Sequence, residues 1–477
     1  MMRKTLLILI LLTLFTAGVV LAQSAGSDGI GDEFYPKLGN GGYDARHYTI
    51  DLDVNLRANL LDGIVTMNAI ATQDLDTFNL DLYGFEVGKV LVNGETAEFR
   101  RRARELIITP LTPLKTDDEF SVTVTYGGIP EQSEATLFSG GWARYQRGVF
   151  VASEPAGAAL WYPVNDHPLD KATYSITVTV PQPYVVASNG FLLSVTDAAN
   201  DRVTYIWENA EPTASYLVTV NIAQFEERTD ETEGGLPIRN YFPVALADEG
   251  EVVFSQTKDM ITYFETVFGP YPFDVYGVVV ADTDLSFALE TQTISLFGRD
   301  IITQNTGRRS PDGAQGVIAH ELAHQWFGNS VSLVTWEDIW LNEGFATYAQ
   351  VLWIEHTQTI ANRDGMLEAW YAIIVSPELV ENGIARPGNP PAQGLFNTSV
   401  YLRGGWTLHA LRLAIGDDAF FETLKTYTST YAYSNATTAN FIAVAEEVSG
   451  QDLQALFDAW LYTDEVPDVP EMNLFNN

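Results

Sequence analysis

Hydrophobic and polar positions alternate with a period of two along the first half of the chain. In residues 48–55 every second position is apolar, and the same pattern returns in residues 122–126 and 174–180. Such alternation predicts strands with one buried and one solvated face. Asn93 and Gly94 lie between two short apolar runs, which predicts a two-residue hairpin turn. Up to about Phe225 the pattern therefore predicts an antiparallel β domain of many short strands.

Beyond residue 230 the apolar period becomes helical. Residues 260–268 place their apolar side chains on one helix face, and Gly269–Pro270 ends that helix. Residues 276–281 predict a buried strand, residues 312–327 and 337–356 predict helices, and several more helices are expected between 399 and 462. The acidic, glycine-containing stretch 226–236 is the predicted linker. We expect an α+β, multidomain chain with a β domain at residues 23–228 and a mainly helical domain at residues 229–477.

The first 22 residues have the order of a secretory signal peptide. Arg3 and Lys4 precede the apolar run 5–21, and the small residue Ala22 follows at the expected cleavage position. The sequence thus predicts cleavage after residue 22 and a secreted or cell-surface, extracytoplasmic protein. The alternative is an uncleaved membrane anchor, because the run is close to the lower limit for a span. A membrane is an expected partner only in that case.

The net charge and the absence of cysteine exclude several classes of partner and of catalytic site. The 477 residues include 62 acidic and 26 basic side chains, a net charge of −36, so nucleic acid is not expected as a partner. The same field favours cationic small molecules such as peptides with a free amino terminus. There are no cysteines, which excludes disulfides, thiol nucleophiles and cysteine zinc sites. Any metal site must use carboxylates and the six histidines.

One helix and its successor contain a pattern typical of a catalytic zinc site. His320 and His324 lie one turn apart, so both imidazoles can reach one metal, with Glu321 beside them. Glu343, on the next predicted helix, supplies a third ligand and leaves a fourth position for water. The alternative is two ordinary core histidines that match the motif by accident. Another alternative is that a different divalent ion occupies the same three ligands in place of zinc.

Glu321 lies where a general base is required. A glutamate beside zinc can accept a proton from water whose pKa the metal has lowered to about 7. This chemistry favours peptide hydrolysis by metal-activated water over redox reactions. The alternative for Glu321 is a carboxylate on the helix surface.

The extended motifs resemble a known family. HELAHQWFGN at residues 320–329 and WEDIWLNEGFA at residues 336–346 are similar to the gluzincin zinc aminopeptidases of the aminopeptidase N (membrane alanyl aminopeptidase) family. FGPYPF at residues 268–273 and the region of residues 161–168 also resemble family positions. The resemblance extends from about residue 43 to residue 467. It implies an N-terminal saddle-like β domain followed by a thermolysin-like catalytic domain.

The resemblance also implies roles for individual residues. It places one zinc per chain on His320, His324 and Glu343, and the general base on Glu321. A family tyrosine that stabilises the oxyanion corresponds to Tyr401, whose setting VYLRGG at residues 400–405 resembles the family's. A phenol aimed at a developing negative oxygen suits that role. The alternative for Tyr401 is a helical tyrosine that only packs in the core.

The substrate-binding motif departs from the family pattern. The family's Gly-x-Met-Glu-Asn corresponds to residues 287–291, FALET, with Ala288, Leu289 and Glu290 as candidate substrate-binding residues. Glu290 keeps the carboxylate that binds the α-amine, and Glu154 resembles a second amine-binding position. Each charge-assisted bond to an ammonium contributes about 1.5–3 kcal/mol. Phe287 is far bulkier than glycine, which puts the side-chain preference in doubt. Both glutamates have the alternative of ordinary surface residues.

These features predict a zinc-dependent aminopeptidase that removes N-terminal residues from peptides. Two alternatives remain at this stage: a zinc endopeptidase with an open cleft, and a non-catalytic peptide-binding or scaffold homologue. Relatives usually carry a large helical domain after the catalytic one, whereas this chain stops soon after Tyr462, so we expect a short form. The cleft is then either more open or covered by a partner subunit. The sequence leaves the oligomeric state and the preferred N-terminal residue open.

Overall fold

The computed structural model describes residues 25–130, 140–305 and 312–476. The predicted signal peptide lies outside the described residues. Within them, no helix combines the length and apolar character that a membrane crossing requires.

The β-rich half of the described chain is built on an eight-stranded sheet. Its strands and those of two smaller sheets are β1 Tyr43–Asn55, β2 Leu60–Ala71, β3 Phe78–Asp81, β4 Glu86–Val92, β5 Glu95–Thr96, β6 Glu98–Arg102, β7 Glu105–Thr109, β8 Glu119–Gly128, β9 Gly141–Tyr145, β10 Gly148–Ala152, β11 Ala172–Pro181, β12 Val185–Ser188, β13 Phe191–Ala198, β14 Arg202–Thr213 and β15 Val220–Ala223. The strand order of the large sheet is β13-β14-β11-β1-β2-β8-β4-β5. Burial alternates along its strands as the sequence predicts; in β1, Tyr48, Ile50 and Leu52 are buried. Asn93 and Gly94, both at positive φ, form the turn between β4 and β5.

One strand pair departs from the predicted antiparallel arrangement. Strands β1 and β11 are parallel, while β1–β2 and β11–β14 are antiparallel. A parallel pair needs a long connection, and here more than a hundred residues separate the two strands. That segment forms two smaller sheets, β3-β7-β6 and part of β12-β15-β10-β9. Strand β10 matters for the site, because it ends two residues before Glu154.

The predicted linker at residues 226–236 is an ordered hairpin, which corrects the prediction. Strand β16 Phe225–Glu231 pairs with β17 Pro237–Pro243, and the sheet continues through β18 Tyr276–Ala281 to β19 Ser295–Gly298. Two of the acidic side chains that suggested a linker form ion pairs: Arg228 lies 2.7 Å from Glu226, and Lys258 lies 3.0 Å from Asp230. The domain boundary at residues 228 and 229 stays a prediction.

The second half is mainly helical and contains a core rich in aromatic side chains. Trp326, Trp336, Trp340 and Trp406 are fully buried there, each contributing roughly 1.5–3 kcal/mol or more through removal of apolar surface from water. The helices are α1 Ala247–Val253, α2 Thr257–Phe268, α3 Asp300–Thr303, α4 Asp312–Ala323, α5 Trp340–Thr357, α6 Ile360–Ile374, α7 Pro377–Glu381, α8 Gly404–Ile415, α9 Asp417–Thr430, α10 Thr438–Ser449 and α11 Gln454–Leu461; the two-residue strands β20 Ser332–Leu333 and β21 Asn435–Ala436 pair in parallel.

Two predicted helices are shorter than expected. Helix α4 ends at Ala323 because the chain turns back after His324, where Asn329 N–H donates to the His324 carbonyl at 3.0 Å. Gly328 adopts a φ of +120° in that turn. Helix α5 begins at Trp340 after a 3₁₀ turn, Trp336–Asp338, that Thr335 caps. Strand β18 and the end of α2 lie where the sequence predicts them.

Candidate zinc active site

The end of α4 presents two imidazoles to the same space. His320 and His324 have ring centroids 4.7 Å apart and are 8% and 1% exposed. The backbone of His324 still donates to His320 O at 3.3 Å, so the last helical turn fixes their relative position. Both predicted histidines therefore face one point.

Helix α5 brings Glu343 to the two histidines. Glu343 Oε2 lies 3.1 Å from His320 Nε2 and 3.5 Å from His324 Nε2, and the three ligand atoms lie within 4.8 Å of one another. Burial opposes the charge of Glu343, but the neighbouring His324 and His320 hold the pKa of this carboxyl down to about 2. Burial likewise opposes the charge of His324, and Glu290 and Glu343 nevertheless raise its pKa to about 10. The sequence prediction of a three-residue cluster is confirmed.

The surroundings of these side chains fit a zinc ion. His324 Nδ1 donates to Phe327 O at 3.0 Å, which leaves Nε2 free as a ligand. His320 Nδ1 lies 3.0 Å from Gln350 Nε2, and a 180° rotation of that side-chain amide would present its oxygen as the acceptor of the Nδ1 proton. A bound cation displaces the Nε2 protons of the two imidazoles, and two neutral imidazoles with one carboxylate form a donor set that zinc prefers.

Glu321 lies beside this cluster and is buried, so it is not the surface carboxylate of the alternative interpretation. Burial raises its pKa well above the ordinary value, and Glu290 and Glu343 act in the same direction. Tyr276 and Ser295 lie behind the helix, with Ser295 Oγ 3.5 Å from the carbonyl of Glu321. A divalent cation in the site would favour the ionised carboxylate, the form that accepts a proton.

Tyr401 lies in a π-helical segment, Ser399–Arg403, directly before α8. Its ring stacks on His320 with centroids 5.9 Å apart and 21° between the planes. Burial raises the pKa of its phenol well above 10, so the hydroxyl keeps its proton and can donate it. Single π-helical turns are frequent at functional sites. The phenol thus borders the ligand cluster, where the family resemblance places it.

Two glycines allow this close approach of Tyr401. A Cβ on Gly344 would lie 2.8 Å from the carbonyl carbon of Gly404, and a Cβ on Gly404 would lie 3.0 Å from Gly344 Cα. Gly344 directly follows the ligand Glu343, and Gly404 begins α8. Backbone contact between α5 and α8 therefore sets how closely the phenol approaches the ligands.

Glu290 and Glu154 enter the site from different parts of the fold. Glu290 follows an isolated bridge between Leu289 and Leu296, and its carbonyl accepts bonds from Asn329 Nδ2 at 2.6 Å and Gln325 Nε2 at 3.1 Å. Glu154 follows β10, so the β-rich half supplies it. Burial and the charge of Glu290 raise the pKa of Glu154 well above the ordinary value. Both Oε1 atoms are buried without a hydrogen-bond partner among the described residues.

The other two candidate substrate-binding residues differ in placement. Leu289 is 4% exposed and packs in the core of the β-rich half, while its backbone pairs with Leu296 at 2.9 Å and 2.7 Å. Ala288 is half-buried against the core of the helical half. Phe287 is 46% exposed and its ring lies 6.4 Å from that of Phe150. Their roles in binding substrate stay predictions.

The structure adds residues that the sequence analysis missed. Burial raises the pKa of the Glu290 carboxyl, while His324 and a hydrogen bond from the fully buried Tyr216 act to lower it. Tyr216 Oη in turn accepts from Asn342 Nδ2 at 3.4 Å, next to the ligand Glu343. The motif string at 336–346 contains Asn342, but nothing in the sequence links Tyr216, 126 residues earlier, to the site.

Comparison with protein families identifies the class of this chain. Residues 44–217 match the model described as the peptidase M1 N-terminal domain, and residues 252–460 match the peptidase family M1 domain. The chain belongs to peptidase family M1, the zinc metallopeptidases that the sequence resembles. The predicted family, the predicted fold class and the zinc cofactor are thus confirmed.

Individual relatives give the degree of similarity. An M1 zinc metallopeptidase from Deinococcus radiodurans, solved as a mutant bound to the substrate Tyr-Ser-Ala, is 30% identical with a TM-score of 0.82, covering 93% of this chain and 100% of that one. Aminopeptidase M1 of Arabidopsis thaliana is 28% identical, covering 64% of this chain and 36% of the relative. Human glutamyl aminopeptidase is 27% identical, covering 73% of this chain and 38% of the relative. The chain thus spans well under half the length of these two curated relatives.

Proposed function

We propose that this protein is a zinc-dependent aminopeptidase that removes single residues from peptides with a free N-terminus. The observation that carries the proposal is the pair formed by the half-buried Glu154 and the fully buried Glu290 beside the ligand cluster. Among the described residues, neither takes part in an ion pair, and each has an oxygen without a hydrogen-bond partner. Two such carboxylates can hold one substrate ammonium through charge-assisted bonds. The names of the two curated relatives support the same activity.

Each residue of the site has a separate role in the proposed hydrolysis. His320, His324 and Glu343 would hold zinc, which when bound lowers the pKa of a water molecule and polarises a carbonyl. Glu321 accepts the water's proton and then delivers it to the leaving amine. Tyr401 donates its hydroxyl proton in a hydrogen bond to the negative oxygen that develops on the scissile carbonyl. Glu154 and Glu290 fix the ammonium, so that only the first peptide bond lies between these groups.

An ammonium ion also stabilises the charged forms of the two carboxyls. Burial raises the pKa of both carboxyls; the charge of Glu290 adds to the rise at Glu154, and the charge of Glu343 adds to the rise at Glu290. A positive charge between them favours the ionised form of each. Loss of that charge leaves buried carboxylates unpaired, which costs more than the loss of a neutral contact. A peptide with a blocked amino terminus is therefore expected to be a poor substrate.

A matched pair of peptides tests the proposal. One peptide has a free amine and the other is its N-acetylated twin, and kcat/KM is measured with zinc-loaded wild type and with Glu290→Ala. Loss of two charge-assisted bonds predicts at least about a hundredfold preference for the free amine in wild type, with most of it lost in Glu290→Ala. Equal rates for both peptides in wild type would reject the aminopeptidase and favour the endopeptidase. No turnover of either peptide would favour the non-catalytic homologue.

We also propose that the protein acts outside the cytoplasm, after removal of residues 1–22. The support is the charged, apolar and small-residue order of that segment in the sequence. Mass spectrometry of the intact protein from its native host should give an N-terminus at Gln23. An intact segment in the membrane fraction would instead identify it as an anchor.

A further inference from the structure

A cavity of about 780 Å³ lies between three parts of the chain that the proposed active site does not use. Its walls are the N-terminal segment before β1, the β6–β7 hairpin, and the 3₁₀ turn Ala392–Gly394. This volume is within the roughly 300–1,000 Å³ that is usual for small-molecule sites. None of the residues proposed above for zinc binding, catalysis or amine binding lines the cavity.

The cavity walls are mainly apolar. Phe34, Tyr35 and Leu38 come from the N-terminal segment, Tyr83 from the β-rich half, and Ala392 from the helical half. Tyr35 Oη donates to Ala392 O at 2.6 Å, and the rings of Phe34 and Tyr35 lie edge to face at 4.6 Å. The wall is therefore held in place before any ligand arrives. An apolar side chain of substantial size fits such a surface.

Charged groups of both signs also line the cavity. Lys37 is exposed and takes part in no ion pair within the described residues. Arg104 Nε lies 3.0 Å from Asp81 and 3.4 Å from Glu105, but Arg104 Nη2 and Glu105 Oε2 find no hydrogen-bond partner among the described residues. Both atoms have almost no accessible surface, so the two side chains would have to rotate towards the cavity before a carboxylate and an ammonium on one ligand could supply their partners.

We propose that this cavity binds a free amino acid with a large apolar side chain. Lys37 and Arg104 take its carboxylate, Glu105 takes its ammonium, and the aromatic wall takes its side chain. The identity of the ligand rests on the proposed function, since an aminopeptidase releases free amino acids. The cavity also contacts Ala156, which lies in the turn closed by Gly157 N and Ser153 O at 2.6 Å.

Equilibrium dialysis of L-phenylalanine with the zinc-loaded protein tests this proposal. Wild type should bind two molecules per chain, one in the cleft and one in the cavity. Ala392→Trp fills the cavity and should leave one, and Glu290→Ala weakens the cleft and should also leave one. The cavity proposal would be overturned if wild type bound one molecule per chain, and if Glu290→Ala abolished that binding while Ala392→Trp did not. One site that only Ala392→Trp removes would support the cavity and contradict the amine site.

A charge variant and two ligand analogues test the same proposal without Ala392→Trp, so the result does not depend on whether that variant folds. In the Glu290→Ala background, Lys37→Glu should weaken binding of L-phenylalanine at least about tenfold, since a charge-assisted bond is lost. Lys89→Glu, which reverses an exposed lysine on β4, is the matched control and should change nothing. L-phenylalaninamide and N-acetyl-L-phenylalanine should each bind about tenfold more weakly than L-phenylalanine. Equal affinity for all three ligands would show that the cavity recognises neither the carboxylate nor the ammonium, and would overturn the proposal.

Discussion

At the scale of single residues, the site combines groups with opposite electrostatic needs. The pKa of Glu343 is held down to about 2 by the histidines, whereas burial raises that of Glu321 well above its ordinary value. The two residues have the same side chain, so the difference between the pKa of the metal ligand Glu343 and that of the base Glu321 comes from their neighbours. Such a difference in pKa between neighbouring carboxyls is typical of catalytic sites.

The phenol of Tyr401 should matter for turnover more than for binding. Tyr401→Phe removes the donor to the developing oxyanion, so we expect kcat to fall by roughly 10²–10³ while KM changes little. Tyr433→Phe is the matched control, because its hydroxyl bonds the distant Pro272 carbonyl. Steady-state kinetics with a free-amine reporter gives both constants. An unchanged kcat with a raised KM would show that Tyr401 binds substrate and does not stabilise the oxyanion.

The ligands and the base could be predicted from the sequence because helical spacing places them. His320, Glu321 and His324 are neighbours in the chain, and the motif around Glu343 is specific. Tyr216 could not be predicted, because only tertiary folding brings it to Glu290 and Asn342. Gln350 lies 30 residues from His320, and its hydrogen bond depends on how α4 and α5 pack.

At the scale of elements, the contact between α5 and α8 sets the geometry of the site. Gly344 and Gly404 meet backbone to backbone, as described above, and any side chain at either position separates the two helices. Sequence periodicity predicted both helices but contained no information on this distance. The same limit applies to residues 226–236, where acidic composition predicted a linker, but the segment pairs as a hairpin in which Arg228 and Lys258 bind two of the carboxylates.

Gly344→Ala should therefore move α8 and with it Tyr401. Overpacking of this kind costs roughly 1–3 kcal/mol, so we expect a lower Tm and a kcat reduced at least about tenfold. Gly365→Ala is the matched control, since it lies within α6 with open space around its Cα, and it should stabilise the fold by about 0.4–1 kcal/mol. Thermal melts and kinetics of both variants check this. Native kcat in Gly344→Ala would show that the contact does not position the phenol.

At the scale of the whole molecule, the N-terminal segment joins the two halves of the chain. The buried carboxylate of Asp32 accepts from Thr335 Oγ1 at 2.6 Å and Trp336 N at 3.1 Å in the helical half. It also lies 3.1 Å from His167 Nε2 in the β-rich half. Trp336 packs on Tyr216, with ring centroids 5.3 Å apart, so this junction continues to the amine site.

The junction predicts a specific dependence of stability on pH. Burial opposes the charge of Asp32, but the bonds from His167 and Thr335 lower its pKa to about 2. Because this lies below the unfolded-state value, ionised Asp32 stabilises the fold above about pH 4, and the contribution fades as the pH falls towards 2. Asp32→Asn should cost about 1–2 kcal/mol at pH 7 and progressively less below pH 4. Denaturant unfolding across pH, with the exposed Asp418→Asn as control, measures this; a pH-independent difference would contradict it.

The most direct test of the account measures zinc content and turnover on the same samples of wild type and Glu321→Gln. The structure predicts about one zinc per chain in both proteins, because Glu321 is not among the three ligands. It also predicts that the variant loses nearly all hydrolysis of a free-amine peptide, since an amide cannot accept the proton of water. Near-native turnover in a zinc-loaded Glu321→Gln, or full wild-type activity after chelation with no zinc bound, would contradict the account.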